Sequence, residues 1–312
     1  MKSTFTLLTV LILFMCTTAG SWAQQAPAAG GVPVQLLVTV EPKHGSTIPE
    51  IKRDDVMVYE GRDRDQVTDW TPARGDRAGL ELYFLIDDSA NTSLGSQLED
   101  IRQFMDAQPP TTKIGVAYMR NGTAEILQAP TPDHAQAGKV LRLPMGFGGA
   151  NASPYFSLAD LVKKWPASSD RREVLMITDG IDRYYGSGDL SDPYLQAAID
   201  DAGKAGIVVS AIYTPGVGHF EHSYWQNYWG QLYLSELADK TGGEAYYIGF
   251  NGSPVSFAPY LDEHGHRLGN QFFLSFLAKP EKKAGWRQVR LMTEIRGVDL
   301  VSAGRVYVPA GQ

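Results

Sequence analysis

Leu82-Tyr83-Phe84-Leu85-Ile86-Asp87-Asp88-Ser89-Ala90-Asn91 is an apolar run that breaks off in two aspartates. Val174-Leu175-Met176-Ile177-Thr178-Asp179-Gly180 repeats the pattern later in the chain. Apolar runs of this length, bounded by polar residues, fit strands buried on both faces, as in a parallel sheet covered by helices. In open α/β sheets, ligands gather at the carboxyl ends of the strands. The two runs therefore place Asp87 and Asp179 together at one sheet edge. With Ser89 they offer the hard oxygen ligands that Mg²⁺ takes.

Outward from these strands the chain alternates. Leu94, Leu98, Ile101, Phe104 and Met105 share one helical face, and Pro109-Pro110 ends that helix. A strand at 113–120 is joined by Asn121-Gly122, a strong hairpin signal, to an antiparallel edge strand at 124–127. Helices are expected at 133–141 and 156–164, a strand at 173–177, and a helix at 193–205 stopped by Gly206. A strand at 207–213, a helix at 233–240 and a short strand at 245–248 complete the series. This alternation predicts an α/β fold with a doubly wound, mostly parallel sheet.

The flanks differ. Strand-like segments at 34–40 and 51–59, and at 272–277, 287–294 and 300–308, have no helices of similar weight between them. They predict one antiparallel β-sandwich formed by both termini, with the α/β domain inserted into it. The expected boundaries are a signal peptide at 1–23, a flexible lead at 24–32 and the first part of the sandwich at 33–76. The α/β domain takes 77–252, and a linker helix with the rest of the sandwich takes 253–312. Asp262-Glu263-His264-Gly265-His266 reads as a polar turn with both histidines solvated.

At the quoted strand ends the chain resembles the von Willebrand factor A domain, a Rossmann-type fold, and is most similar to the von Willebrand A-related secreted proteins of acidobacteria. Members of that family carry Asp-x-Ser-x-Ser after the first strand, a threonine in a middle loop and Thr-Asp-Gly after a later strand. Together these form a metal-ion-dependent adhesion site. Here the first loop, Asp87-Asp88-Ser89-Ala90-Asn91, has asparagine for the second serine, while Thr178-Asp179-Gly180 is intact. The middle loop, Gly148-Gly149-Ala150-Asn151-Ala152, lacks the threonine, and the Asn151 amide oxygen is the candidate replacement. Residues 51–60 resemble a further family segment, Leu-x-x-Asp-Phe-x-Val-x-Glu, and the resemblance runs from about Val34 to Pro309. It implies a degenerate, weak site for Mg²⁺ (or Mn²⁺ or Ca²⁺) held by Asp87, Ser89, Asn91 and Asp179, with a carboxylate of a protein partner completing it. The competing reading is that both aspartates cap helices and hold no metal.

The first residues read as a secretory signal: Lys2, an apolar run at 7–15 too short to span a bilayer, and Ser21-Trp22-Ala23 as the cleavage site. Cys16, the only cysteine, falls within it, which removes thiol catalysis and disulfides from the mature chain. No later apolar stretch suits a membrane anchor. The net charge of −7 and the lack of a basic run exclude phosphate-tracking nucleic-acid binding. No Gly-x-Ser-x-Gly elbow, phosphate loop or dinucleotide fingerprint occurs.

Residues 219–233 are unusually aromatic. Phe220, Tyr224, Trp225, Tyr228 and Trp229 are the candidate partner-binding residues, since Tyr and Trp bring apolar area with a polar handle. The alternative is that they cover the sheet and pack on Tyr184 and Tyr185. His219, Glu221 and His222 are too sparse and loop-like to argue for zinc. The expectation is a secreted or periplasmic, non-enzymatic protein-binding module. A metal-assisted periplasmic hydrolase, with His219 or His222 as base, and a structural envelope subunit with a dead site are the alternatives.

Overall fold

A computed structural model describes residues 30–45, 47–146, 149, 151–185, 188–217 and 223–311. The expected signal peptide, most of the lead, and His219, Phe220, Glu221 and His222 lie outside the described residues. Along the chain run strands β1 (Val32–Pro42), β2 (Val56–Glu60), β3 (Asp63–Pro72) and β4 (Leu80–Asp87), then helix α1 (Leu98–Asp106). The hairpin of β5 (Thr112–Arg120) and β6 (Thr123–Thr131) leads to α2 (His134–Lys139) and α3 (Pro154–Lys164). β7 (Arg171–Thr178), α4 (Pro193–Ala205), β8 (Ile207–Tyr213), α5 (Tyr224–Thr241) and β9 (Ala245–Tyr246) follow. The chain ends with α6 (Ala258–Gly269), β10 (Gln271–Ala278), β11 (Gly285–Thr293), β12 (Val298–Val301) and β13 (Arg305–Val308).

Six strands form the expected doubly wound sheet in the order β6-β5-β4-β7-β8-β9. All pairs are parallel except the β5–β6 edge pair. The Asn121-Gly122 turn has φ of +50° and +75°, which matches the primed turn that suits a twisted hairpin. Side chains alternate across each strand. Leu80, Leu82, Phe84 and Ile86 of β4 pack into a core with α1, α2 and α6. Tyr83 and Leu85 enter a second core with α3, α4 and α5. Both faces are covered, which is why these strands read as continuous apolar runs.

The terminal strands depart from the expected sandwich. They form one seven-stranded sheet, β12-β1-β10-β3-β2-β11-β13, not two stacked ones. The segment expected to be a single strand at 300–308 splits at Ser302-Ala303-Gly304, and its halves, β12 and β13, pair at opposite edges. Seven strands laid flat would span about 29 Å, yet so short a link reaches only about 14 Å. The sheet must therefore curl until its edges approach, and its inner residues pack on each other. Val34, Leu36, Val38 and Val40 of β1 meet Leu274 and Phe276 of β10 in one buried cluster. β3 was not legible as a strand because its sequence is mostly polar; it is held between β2 and β10 by ladder bonds and by Trp70, which stacks on Phe272 at 4.5 Å.

A buried polar bridge joins the two sheets at the amino ends of the parallel strands. Arg171 donates to the carbonyls of Leu268 (2.9 Å) and Ala78 (3.0 Å) and to the Gln271 side chain, which in turn donates to the Glu173 carboxylate.

His264 also corrects the sequence reading. It lies inside α6, only 1% exposed, not in a solvated turn. Its Nδ1 faces the Tyr246 hydroxyl at 3.4 Å, and its Nε2 has no partner among the described residues. Burial holds its pKa down at about 4. The unfolded chain takes up this proton below about 6.5, whereas the folded state refuses it until about 4. Stability should therefore be unaffected by this group at neutral pH and fall as pH drops through that window, by order 3 kcal/mol. Urea melts of wild type and His264→Phe between neutral and acid pH check this: the substitution should flatten the decline, and an unchanged slope would show that His264 does not cause it.

Candidate binding site at the carboxyl edge of the sheet

β4 and β7 are adjacent and parallel, with Ile86 paired to Ile177, so their following residues reach the same edge. Asp87 and Asp179 are 5% and 1% exposed, and their surroundings satisfy them in different ways. Asp87 Oδ1 accepts from the Ser89 amide (2.8 Å) and hydroxyl (2.6 Å), and its Oδ2 accepts from the Thr178 hydroxyl (2.7 Å). Burial raises the Asp87 pKa first and the Asp179 charge second, while Arg183 and the two hydroxyls pull it back. Asp179 Oδ1 accepts from the Ile181 amide (3.0 Å). Arg183 then grips both oxygens of Asp179 with its two terminal nitrogens, at 3.3 and 2.5 Å.

Each remaining candidate ligand is accounted for. Asn91 Oδ1 caps the 3-10 turn Thr92–Gln97 by accepting from the Ser93 amide at 2.9 Å. Asn151 is exposed, its backbone amide tied to the Asn121 side chain at 3.0 Å. Phe147, Gly148 and Ala150 of the middle loop lie outside the described residues. Asp88 is wholly buried and paired with Arg142 at 2.6 and 3.1 Å, and it also accepts from the Met145 amide. The Arg142 guanidinium stacks over Tyr118 at 3.9 Å. Asp182 is used up by the Ser153 hydroxyl and the Tyr184 and Tyr185 amides.

A backbone strap closes the edge. The Asn91 amide donates to Pro215 (2.9 Å), the Val217 amide donates to Ser89 (2.8 Å), and Ala90 bridges Gly216. A Cβ on Gly216 would lie 2.3 Å from Asp179 Oδ2 and 2.6 Å from Arg183 Nη2. The cavity left between Asp87, Ser89 and Arg183 is about 10 Å³, room for no more than about one water. Mg²⁺ keeps several waters, so the donors as arranged do not fit that ion. Among the described residues, no group of three or more His, Asp or Glu side chains converges as metal ligands.

The sequence reading missed Arg183, Arg142 and Gly216. The signal for Arg183 is its place in the sequence, a cation four residues past Asp179. The aromatic helix starts earlier than expected, at Tyr224 and not near 233. The signal was present as Ser223-x-x-Gln226, a capping box in which both reciprocal bonds form. α5 approaches the site through two glycines: a Cβ on Gly180 (φ +72°) would meet the Gly230 carbonyl at 2.3 Å, and one on Gly230 would meet the Asp179 carbonyl at 2.5 Å.

Tyr224, Trp225 and Tyr228 remain 67, 64 and 45% exposed, and they pack on one another with ring centroids 5.6 to 6.5 Å apart. Trp229 does not share this surface; it is half-buried against the core. Tyr184 and Tyr185 gather around Tyr194 beside Phe156. A groove of about 430 Å³ lies at the opposite end of the sheet, beside Arg171 and Arg172, and shares no residue with this edge.

No protein-family model matches the sequence, and no curated protein matches it. Solved structures similar to this chain include an aerotolerance-related membrane protein from Bacteroides fragilis, at 14% identity and TM-score 0.41, covering 61% of this chain and 98% of that one. BatB from Bacteroides thetaiotaomicron is similar at 15% identity and TM-score 0.41, over 61% and 97%. The SpRpn10 von Willebrand A domain is similar at 14% identity and TM-score 0.35, over 53% and 85%. These likenesses are too distant to bear on function.

The Asp88–Arg142 pair is one of the contacts that hold residues 142–146, with the Tyr118 hydroxyl on the Arg142 backbone and the Gly146 amide on the Asp88 carbonyl. Arg142→Ala should leave a buried carboxylate unpaired and cost about 2 kcal/mol, below the ~3–5 of a wholly buried pair because Arg142 keeps some exposure. Asp88→Asn in the same background should recover part of that loss. Denaturant melts of the two variants decide the point: equal stability of wild type and Arg142→Ala would show the pair to be inert.

Proposed function

We propose that this chain is a secreted or periplasmic, non-enzymatic protein-binding module, and that it recognises its partner through the aromatic face of α5. The observation that carries this reading is the exposed, mutually packed group of Tyr224, Trp225 and Tyr228. These rings lie outside the buried cores, and exposed apolar area is unfavourable by about 25 cal/mol per Å² unless something covers it. Their backbone is also held in place. The capping box fixes the helix start, and the Gly180–Gly230 contact fixes its height above the sheet edge. A prepositioned aromatic surface binds with little ordering cost.

Two further observations support a binding role over a hydrolytic one. The carboxylates that would orient an activated water are saturated by Ser89, Thr178 and Arg183. The edge they occupy is covered by the strap at Gly216. The outward location rests on the signal-like first residues. Among the described residues, no helix is long and apolar enough to cross a membrane.

A photo-crosslinking amino acid at position 225, and a control at exposed Arg62 on the curled sheet, test the reading in envelope extracts of the source organism. The expected result is one discrete protein adduct from position 225 and none from 62. Tyr224→Ala with Tyr228→Ala should weaken capture of that protein by roughly tenfold or more while leaving the melting temperature almost unchanged, since surface changes stay within about 0.5 kcal/mol. The same adducts from both positions, or capture that survives the double substitution, would count against the aromatic face.

A further inference from the structure

We infer that the Arg183 guanidinium is a built-in counter-cation that stands where the adhesion-site motif would hold a divalent metal, and that the site is thereby closed to metal. This goes beyond the proposed binding role and does not depend on it.

Charge is the first ground. Asp87 and Asp179 are both buried at one sheet edge, and two carboxylates there require a positive partner. Arg183 supplies it. Its fork takes both oxygens of Asp179, and its charge also acts on Asp87. A guanidinium is permanently charged and planar and matches a carboxylate in two-point geometry, so it can fix the pair in one arrangement.

Space is the second. The cavity between Asp87, Ser89 and Arg183 is too small for an ion with its waters. The third is acceptor capacity. The Ser89 amide and hydroxyl and the Thr178 hydroxyl all donate to Asp87, which occupies most of the acceptor positions of its carboxylate, and the Asn91 oxygen is turned away to the Ser93 amide. The fourth is access. The strap residue Gly216 packs so closely on Asp179 and Arg183 that no methyl group would fit between them. An open coordination position for a partner's carboxylate has no place in this arrangement.

The test is metal binding by the purified chain after chelation, with Mn²⁺ followed by calorimetric titration and by electron paramagnetic resonance. Wild type is expected to bind no Mn²⁺ at millimolar concentration and to show no cation-dependent rise in melting temperature. Arg183→Ser should melt lower in chelator and gain Mn²⁺ affinity by at least about tenfold, with a cation-dependent rise in the midpoint. Adding Asp179→Asn to that variant should abolish the gain. Arg183→Gln, which keeps the stem in its packing, serves as the second neutral variant if Arg183→Ser does not fold, while Arg183→Lys should gain nothing. Mn²⁺ binding by wild type that is lost on Asp179→Asn would overturn the inference. So would a folded Arg183→Ser or Arg183→Gln that gains no Mn²⁺ affinity, since the arginine would then be an ordinary ion pair and not a replacement for the ion.

Discussion

Two carboxylates buried side by side at the end of adjacent parallel strands set the terms for the whole carboxyl edge of this molecule. Like charges held close together out of bulk water repel, and the Asp179 charge accordingly raises the Asp87 pKa. Removing them from water adds a further cost unless hydrogen bonds replace the lost solvent. The loops around the edge are arranged to meet that demand. Ser89 and Thr178 turn their protons to Asp87, and Arg183 folds back on Asp179. The next acidic residues repeat the solution: Asp88 gathers residues 142–146 through Arg142 and the Met145 amide, and Asp182 gathers Ser153 and the turn at 184–185. These loops are thus tied to the edge by carboxylates, while the strap after β8 is held by backbone bonds. The shape of the edge is a consequence of where the charges are, more than of apolar packing.

The opposite end of the same sheet meets a different demand. There the parallel strands must abut a second sheet, and a polar bridge crosses the boundary from Arg171 through Gln271 to Glu173. Burial pushes the Glu173 carboxyl up to about 7, with the Gln271 bond and the Arg171 charge acting against it. Such a bridge is a weak source of stability but a directional one. It joins β10 to β7 at fixed points, which a purely apolar contact would not do. The curled sheet keeps its own interior, so the bridge need only orient the two parts.

How much of this was legible in the sequence depends on the range of the interaction. The strands at 82–87 and 174–178 declare themselves, because burial on both faces leaves them apolar up to the closing Asp87 and Thr178. The helix at 193–205 and its Gly206 stop are equally local, and they came out as read. The candidate site was legible only in its motif residues. Its occupant was not, because what Arg183 contacts depends on a turn whose direction no periodicity encodes. The 300–308 segment shows the same limit in the fold. Its residues are strand-like throughout, but the choice to send its halves to opposite edges is made by long-range pairing with β1 and β11. His264 was misread for the reverse reason: its polar neighbours suggested a turn, while burial of one helix face was decided by Phe104 and Tyr246 far along the chain.

A metal-centred recognition site and an aromatic one place opposite requirements on the same edge. The first needs oxygens with free lone pairs and an open position, which leaves charge only partly satisfied until a partner arrives. The second needs a rigid platform whose polar groups are already satisfied, so that rings can stand out from it. This chain meets the second set of requirements. Among the described residues, the carboxylates at the centre of the edge are paired internally and the strap lies across them. α5 rises directly from that closed surface through the Gly180–Gly230 contact, its inward residues Tyr233, Leu234 and Leu237 anchored in the core. Tyr224, Trp225 and Tyr228, nearer the start of the helix, are left facing solvent. The capping box and the Gly180–Gly230 contact set α5 over this edge, and the three rings project from its first turns.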